Sequence, residues 1–567
     1  MRSQSSRMGS VRRGAARHLL KWSTALLLGW VGWGGGEALA KEPRCLPFAV
    51  GHAAGNYLVP GALGEIVYRR EGGEVRALDA YLQPGRQPRP AVVVIHGGGG
   101  ATGSRVAFVG QFLELMTRAG VHWFSIDYTL GGPERTREAV ADVVAALAFL
   151  RCHARELRID PSRLMLLGED SGADLAILAA TEPDTLPLSA LLLFGGRYEN
   201  PATRGWSRGR VAGPQVLIVH GGADEEVPVE RAQSRCRAWR TDGGSCDEII
   251  VDRASHRLEN WWPTSQWGYR EEVLQWMRKL LGRSFPSPVG APRRIGVHGR
   301  ASGTLEKGIH YGPAGRQTMD AWLPEGEGPF PAVLIVHGGG WEAGDPVTYV
   351  APLFRPLAEA GWAWFSIDYR LTPEVRHPEQ IEDLQRALAM ILAQADRWRI
   401  DRSRLILLGE SASGQMATLL ATTPSRGSPQ HPQWAGVVSF YGVYDLTVMA
   451  QPGRLSARSI PARLFGMESY SDAERVRLEE YSPLWQLGRD GGALPPLLLL
   501  CGTADGLYSQ HQAMVGRLRE VGADVTAVEL DGAPHGLENW EGHPEWAFYR
   551  TALLDWLEKV ASRGAAR

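Results

Sequence analysis

Three separated motifs of this chain occur twice at one fixed distance. HWFSIDYTL at 122–130 returns as AWFSIDYRL at 363–371, RIDPSRLMLLGE at 158–169 returns as RIDRSRLILLGE at 399–410, and the glycine runs opening at His96 and His337 keep the same interval of 241 positions. Chance apolar runs do not hold register across three motifs, so the sequence reads as one domain present twice. The interval is far longer than a solenoid repeat, which makes each copy a complete domain with its own core. The stretch SFPSPVGAPRR at 284–294 reads as the linker between a first copy at about 44–283 and a second at about 295–562.

Within each copy, short runs rich in Val, Ile and Leu alternate with longer segments of helical periodicity. In the second copy the expected strands are 332–336, 364–367, 404–408, 436–440, 497–500 and 525–530, and Ile381, Leu384, Leu388 and Leu392 mark a helix within 378–398. Strands that are apolar throughout, separated by helices, predict a mainly parallel, doubly wound sheet with helices on both faces, an α/β fold in each copy.

Ligands bind an open parallel sheet at the carboxyl ends of its strands, and the polar motifs fall at those ends. The strand 404–408 runs into Gly409-Glu410-Ser411-Ala412-Ser413-Gly414 and then into a helical pattern. A strand, a sharp turn carrying a serine and a helix form a nucleophile elbow, here with Ser413 where the usual GxSxG pattern has glycine. A serine hydroxyl is barely ionised at neutral pH and needs a base, which in turn needs an acid to hold its tautomer. The strand 497–500 leads to Asp505, the strand 525–530 leads to His535, and the order Ser411, Asp505, His535 is that of an α/β-hydrolase. His337-Gly338-Gly339-Gly340, following the first strong strand, offers unobstructed backbone N–H groups to an oxyanion. Glu410, Asp368 and Tyr369 read as structural or turn-positioning residues beside this site.

The second copy, over roughly 305–562, resembles the esterase and lipase members of the α/β-hydrolase fold that carry an HGGG oxyanion loop, the hormone-sensitive-lipase-like and feruloyl- or acetylxylan-esterase-like groups. HGGGW at 337–341, IDYRL at 367–371, GESASG at 409–414, YSPLW at 481–485 and GTADG at 502–506 carry the resemblance. It implies an oxyanion hole made by the N–H groups of Gly339, Gly340 and Ala412, and it implies no metal or organic cofactor. Residues 441–485 are longer than their counterpart in the first copy, as expected of a cap over the pocket, with Tyr441, Tyr444, Phe465 and Tyr470 as candidate acyl or aryl contacts or as packing residues.

The first copy departs from this pattern at one position. The interval of 241 sets Asp170 where the second copy has Ser411, while Asp224 and His256 match the acid and the base, and His256 and His535 are both followed one residue later by LENW. Three readings stay open: a non-catalytic domain, an aspartate nucleophile of the kind that attacks saturated carbon, and a shifted elbow with Ser171 as nucleophile.

Other features bound the setting. An apolar fraction of 44% with 22% charged residues is that of a folded globular protein, and 567 residues exceed one ordinary core. Six basic residues precede the apolar stretch 22–33, and Ala38-Leu39-Ala40 offers a cleavage site, so 1–40 reads as a signal peptide with Lys41 as the mature amino terminus; the alternative is an uncleaved anchor. Removal of 1–40, with six positive charges and Glu37, would take the formal net charge from -1 to -6, a mild acidic excess that gives no electrostatic reason to expect nucleic acid or an anionic membrane as partner. Five cysteines lack metal-ligand spacing; Cys236 and Cys246 are the nearest pair and are expected either as a disulfide or as buried thiols. The function expected is serine carboxylic-ester hydrolysis on a small-molecule or polysaccharide-linked ester by an exported protein. The alternatives are a binding or scaffold protein and an amide or peptide hydrolase on the same triad.

Overall fold

Two sheets, each flanked by helices, organise the computed structural model, which describes residues 46–49, 57–59, 61–183, 185, 187–198, 213–256, 268–282, 295–298, 302–423, 434–450, 459–488 and 494–564. The expected signal peptide and the linker 284–294 lie outside the described residues. In the first sheet the strands lie in the order Leu63–Glu71, Glu74–Tyr81, His122–Ile126, Arg89–Ile95, Ile159–Glu169, Ala190–Phe194, Gln215–Gly221 and Cys246–Val251. In the second the order is Ile295–His298, Ser302–His310, Thr318–Pro324, Ala363–Ile367, Phe330–Val336, Ile400–Glu410, Gly436–Phe440, Leu497–Gly502 and Val525–Leu530. Apart from the extra edge strand Ile295–His298, the two orders are the same.

The six strands expected in the second copy all form and pair in parallel. What precedes them is antiparallel: Ser302–His310 pairs with Thr318–Pro324, which pairs with Ala363–Ile367. In Ser302–His310 only Leu305 and Glu306 are buried and the other residues are partly or fully exposed, unlike the uniformly apolar and buried Leu405–Leu408 in the sheet centre. The expected helix forms as Glu379–Ala393 and buries Ile381, Leu384, Leu388 and Ile391 on one face.

Residues 45–567 form one compact unit. One apolar cluster crosses between the sheets: Phe112, Leu113 and Met116 of the helix Gly110–Arg118 belong to the same cluster as Leu353, Phe354 and Leu357 of the helix Ala351–Glu359. The Tyr57 ring meets Trp322 edge-on at 5.1 Å, and Arg355 pairs with Glu65 at 2.6 Å. Cys236 and Cys246 form a disulfide with their Cα atoms 5.5 Å apart. Among the described residues no helix is long and apolar enough to cross a membrane.

Candidate active site

The strand Ile400–Glu410 enters the helix Ala412–Thr422 through a single residue, Ser411, at φ 54° and ψ −117°. A positive φ is costly for a residue with a side chain and persists only where its surroundings enforce it. Here the enforcement is tight packing. A Cβ on Gly409 would stand 2.2 Å from the Ser413 carbonyl oxygen, so only glycine lets strand and helix approach this closely. Ser413, the departure from the usual elbow, donates its hydroxyl to Val336 O at 2.6 Å and accepts the Glu410 N–H at 3.1 Å. Its side chain thereby ties the elbow to the neighbouring strand Phe330–Val336.

The turn presents Ser411 Oγ to His535. Ser411 Oγ donates to His535 Nε2 at 3.0 Å, and His535 Nδ1–H donates to Asp505 Oδ2 at 2.7 Å. Asp505 only accepts, so it fixes the proton on Nδ1 and leaves Nε2 free to take the serine proton. Asp505 is held in turn by the Leu507 N–H at 2.8 Å and is buried, whereas the His535 side chain is 42% exposed and open to an entering substrate. The three residues come from the ends of three different strands, and the parallel sheet brings them together.

The glycine loop arrives from a fourth strand. Gly339 and Gly340 lie at φ 90° and 63°, conformations that suit glycine. Ala412 is the first residue of its helix, where a backbone N–H has no partner within the helix. The loop is braced from below by Glu410, Asp368 and Tyr369, which the sequence marks as structural or turn-positioning residues, together with Arg316. Gly338 N–H donates to the carboxylate of Glu410, the residue before the nucleophile. Burial raises the Glu410 carboxyl above its ordinary range, opposed by nearby His535 and by the Gly338 N–H. Tyr369 stacks on His337 at 4.5 Å and donates its hydroxyl to His337 O at 3.0 Å, while Arg316 donates to Asp368 at 2.6 Å and His337 lies 3.4 Å from the same carboxylate. Their recurrence in both copies, as Glu169 and IDY at 126–128, was the sequence signal for this bracing.

The insertion after the strand Gly436–Phe440 carries the helices Ile460–Phe465, Asp472–Glu480 and Pro483–Gln486. Arg463 ties it to Glu342, directly after the glycine loop, with one contact at 2.7 Å. Of the candidate substrate contacts, Tyr441 and Tyr444 are fully buried and Phe465 nearly so. Tyr441 packs on the His535 ring at 4.5 Å and accepts the Leu537 N–H at 2.8 Å, so it supports His535; Tyr444 donates to Ser439 Oγ at 2.9 Å. Tyr470 is partly buried against the same apolar cluster as Phe465. For the first two, packing is the outcome.

In the first copy Asp170 takes the same turn, at φ 49° and ψ −118°. His256 Nδ1 lies 2.8 Å from Asp224 Oδ2, and its Nε2 lies 3.3 Å from Asp170 Oδ1. The other carboxylate oxygen, Oδ2, accepts the Gly99 N–H at 2.9 Å, and the Ser171 N–H also stabilises the carboxylate. At the interval of 241, Gly99 and Ser171 are the counterparts of Gly340 and Ala412. Burial pushes the Asp170 carboxyl up, but His256, those N–H groups and Arg197 outweigh it and hold it down at about 2. Burial pushes His256 down, and the bonds to Asp170 and Asp224 overcome this and raise it to about 10. His256 is therefore an imidazolium between two carboxylates at neutral pH, and its Nε2 faces Asp170 rather than Ser171.

Comparison with known proteins agrees with this geometry. Residues 333–539 match the family model Abhydrolase_3, described as the alpha/beta hydrolase fold, and residues 78–191 match the model BD-FAE. The chain is 29% identical over 276 residues to "Esterase LipC" of Mycobacterium tuberculosis, covering 46% of this chain and 67% of that one. It is 32% identical over 250 residues to "Probable carboxylic ester hydrolase LipM" of the same organism, covering 41% of this chain and 56% of the relative. The matches thus span about half to two thirds of these relatives. A solved structure described as a truncated form of carbohydrate esterase from gut microbiota aligns with a TM-score of 0.40 at 22% identity, over 46% of this chain and 96% of that one. Strand order, elbow and motif order are those of the α/β-hydrolase fold, and the family model that matches residues 333–539 is of that fold.

Proposed function

We propose that the second copy is a serine carboxylic-ester hydrolase acting through an acyl-enzyme and that the first copy is non-catalytic. The observation that carries the reading is the unbroken line Ser411 Oγ, His535 Nε2, His535 Nδ1, Asp505 Oδ2, with contacts of 3.0 and 2.7 Å. His535 takes the Ser411 proton as Oγ attacks the ester carbonyl, and the oxyanion is held by N–H groups from Gly339, Gly340 and Ala412. Collapse of the tetrahedral intermediate breaks the bond to the alcohol, which leaves with the proton from His535. A water, deprotonated by the same base, then releases the acid and regenerates Ser411. The first copy supports the oxyanion assignment from the opposite side, because there the counterparts of Gly340 and Ala412 hold an anionic oxygen of Asp170.

The same contacts argue that the first copy does not turn over esters. Its N–H donors, those of Gly99 and Ser171, are occupied by its own carboxylate, and its histidine is charged and has no lone pair to accept a proton. The substrate is a small-molecule or polysaccharide-linked ester. Export from the cytoplasm is part of the reading, supported by the Cys236–Cys246 disulfide, which persists in oxidising compartments.

A fluorophosphonate probe followed by peptide mapping tests the core of this. Labelling is expected at Ser411 alone, accompanied by loss of p-nitrophenyl butyrate hydrolysis. Label on another serine, or label without loss of turnover, overturns the assignment. Acetylated and feruloylated xylan assayed beside p-nitrophenyl esters of graded length distinguish the two substrate classes.

A further inference from the structure

The segment that follows the base in the second copy does not end against solvent. It leans on the glycine loop of the first copy. His543 Nε2 lies 3.0 Å from Ala101 O, Gly103 N–H donates to Glu541 O at 3.2 Å, and Ser104 Oγ lies 3.5 Å from Glu541 Oε2. Gly542, at φ 82°, sits so close that a Cβ there would come within 2.2 Å of Leu130 Cδ1 and 3.0 Å of Gly103 O. One side chain carries this contact to the base itself: Asn539 donates Nδ2 to the His535 carbonyl oxygen at 2.6 Å, and its Oδ1 lies 3.4 Å from the Thr102 hydroxyl. That hydroxyl also lies 3.3 Å from Gly98 O within its own loop.

The residues involved, 101–104, directly follow HGGGG, the counterpart of the oxyanion loop. With Asp170 filling that hole, the loop has no substrate to bind and is free to serve another purpose. The hydroxyl contact is one-way, because the position matching Thr102 in the second copy is Ala343, which cannot return it.

We infer that the glycine loop of the first copy is a positioning element for the base of the second, acting from Thr102 through Asn539 on the His535 backbone. This rests on the reading of His535 as the base of Ser411. A base displaced by a fraction of an ångström slows proton transfer while leaving ester binding intact, so the effect belongs in kcat and not in KM.

The test uses the full-length protein and p-nitrophenyl butyrate. Asn539→Leu is expected to lower kcat about tenfold and Thr102→Val about threefold, each with KM within about twofold of the parent. Thr102→Ser is expected to keep the parent rate, and the double variant to be no slower than Asn539→Leu alone, since both residues act along one line. A Thr102→Val kcat equal to the parent, or losses that multiply in the double variant, overturns the inference. If Asn539→Leu does not fold, as judged by circular dichroism, the fluorophosphonate labelling rate of Thr102→Val against Thr102→Ser decides by the same criterion. Ser411→Ala separates the two levels: turnover that survives it removes the triad reading, whereas turnover lost there but unaffected by Thr102→Val removes only the positioning role.

Discussion

Asp170 Oδ2 accepts the Gly99 N–H at 2.9 Å, and at the interval of 241 the second copy has Gly340 and the uncharged Ser411 in these two positions. One substitution at the elbow therefore changes two things. On the proposed reading it removes a hydroxyl nucleophile, and it sets a fixed negative charge where a developing oxyanion would have to sit.

Ser411→Ala is expected to reduce hydrolysis of p-nitrophenyl butyrate by at least about a thousandfold, with His535→Ala close behind and Asp505→Asn somewhat less severe. The members act as a unit, so a double variant is expected to be little worse than Ser411→Ala. Steady-state rates corrected for active-site titre check this; small additive losses would contradict it.

In a Ser411→Ala background, adding Asp170→Asn is expected to leave any residual hydrolysis unchanged. A residual rate that disappears in the double variant, with the circular dichroism spectrum intact, would mean that the first copy is itself an enzyme.

The Asp170–His256 pair is expected to make stability depend on pH with a definite sign. His256 is raised to about 10 in the folded chain, above its ordinary value of about 6.5. It contributes fully below about pH 6.5, and that contribution is lost as pH rises through about 10. Asp170, depressed to about 2, contributes above the ordinary carboxylate range and loses that contribution as pH falls through about 2. Asp170→Asn is thus expected to melt below the parent at pH 6, with the gap closing above pH of about 10. Scanning calorimetry across that range decides it, and a gap independent of pH would count against the pair.

Ser413→Gly would restore the usual elbow pattern, yet it is expected to destabilise. It leaves Val336 O and the Glu410 N–H without their buried partner, a loss of about 1–3 kcal/mol. Urea unfolding of the variant reads this directly; stability equal to or above the parent would show that the hydroxyl bridge contributes nothing.

Export predicts that secreted or periplasmic protein begins at Lys41. Intact-mass measurement finding residues 1–40 still attached would contradict cleavage.

Much of this protein is legible along the chain because the features concerned are local. The apolar runs at 332–336 and 404–408, the helical spacing of Ile381, Leu384 and Leu388, and the strand, serine and helix succession at 404–420 each need only neighbours in sequence to declare themselves. The fixed interval of 241 then aligns Asp170 with Ser411 without any structure. The tertiary structure decided what depends on distant partners. The antiparallel strands Ser302–His310 and Thr318–Pro324 have weak, mixed patterns and acquire their place only by pairing beside Ala363–Ile367. Nothing within GEDSGA says that the Asp170 carboxylate turns toward Gly99, 71 positions away, because that contact exists only once the two strands lie side by side. Tyr441, which the sequence leaves as either a substrate contact or a packing residue, is buried against His535 for the same reason: a side chain's role here follows from which strand ends the sheet gathers, and that order is set by long-range pairing rather than by the residues flanking it.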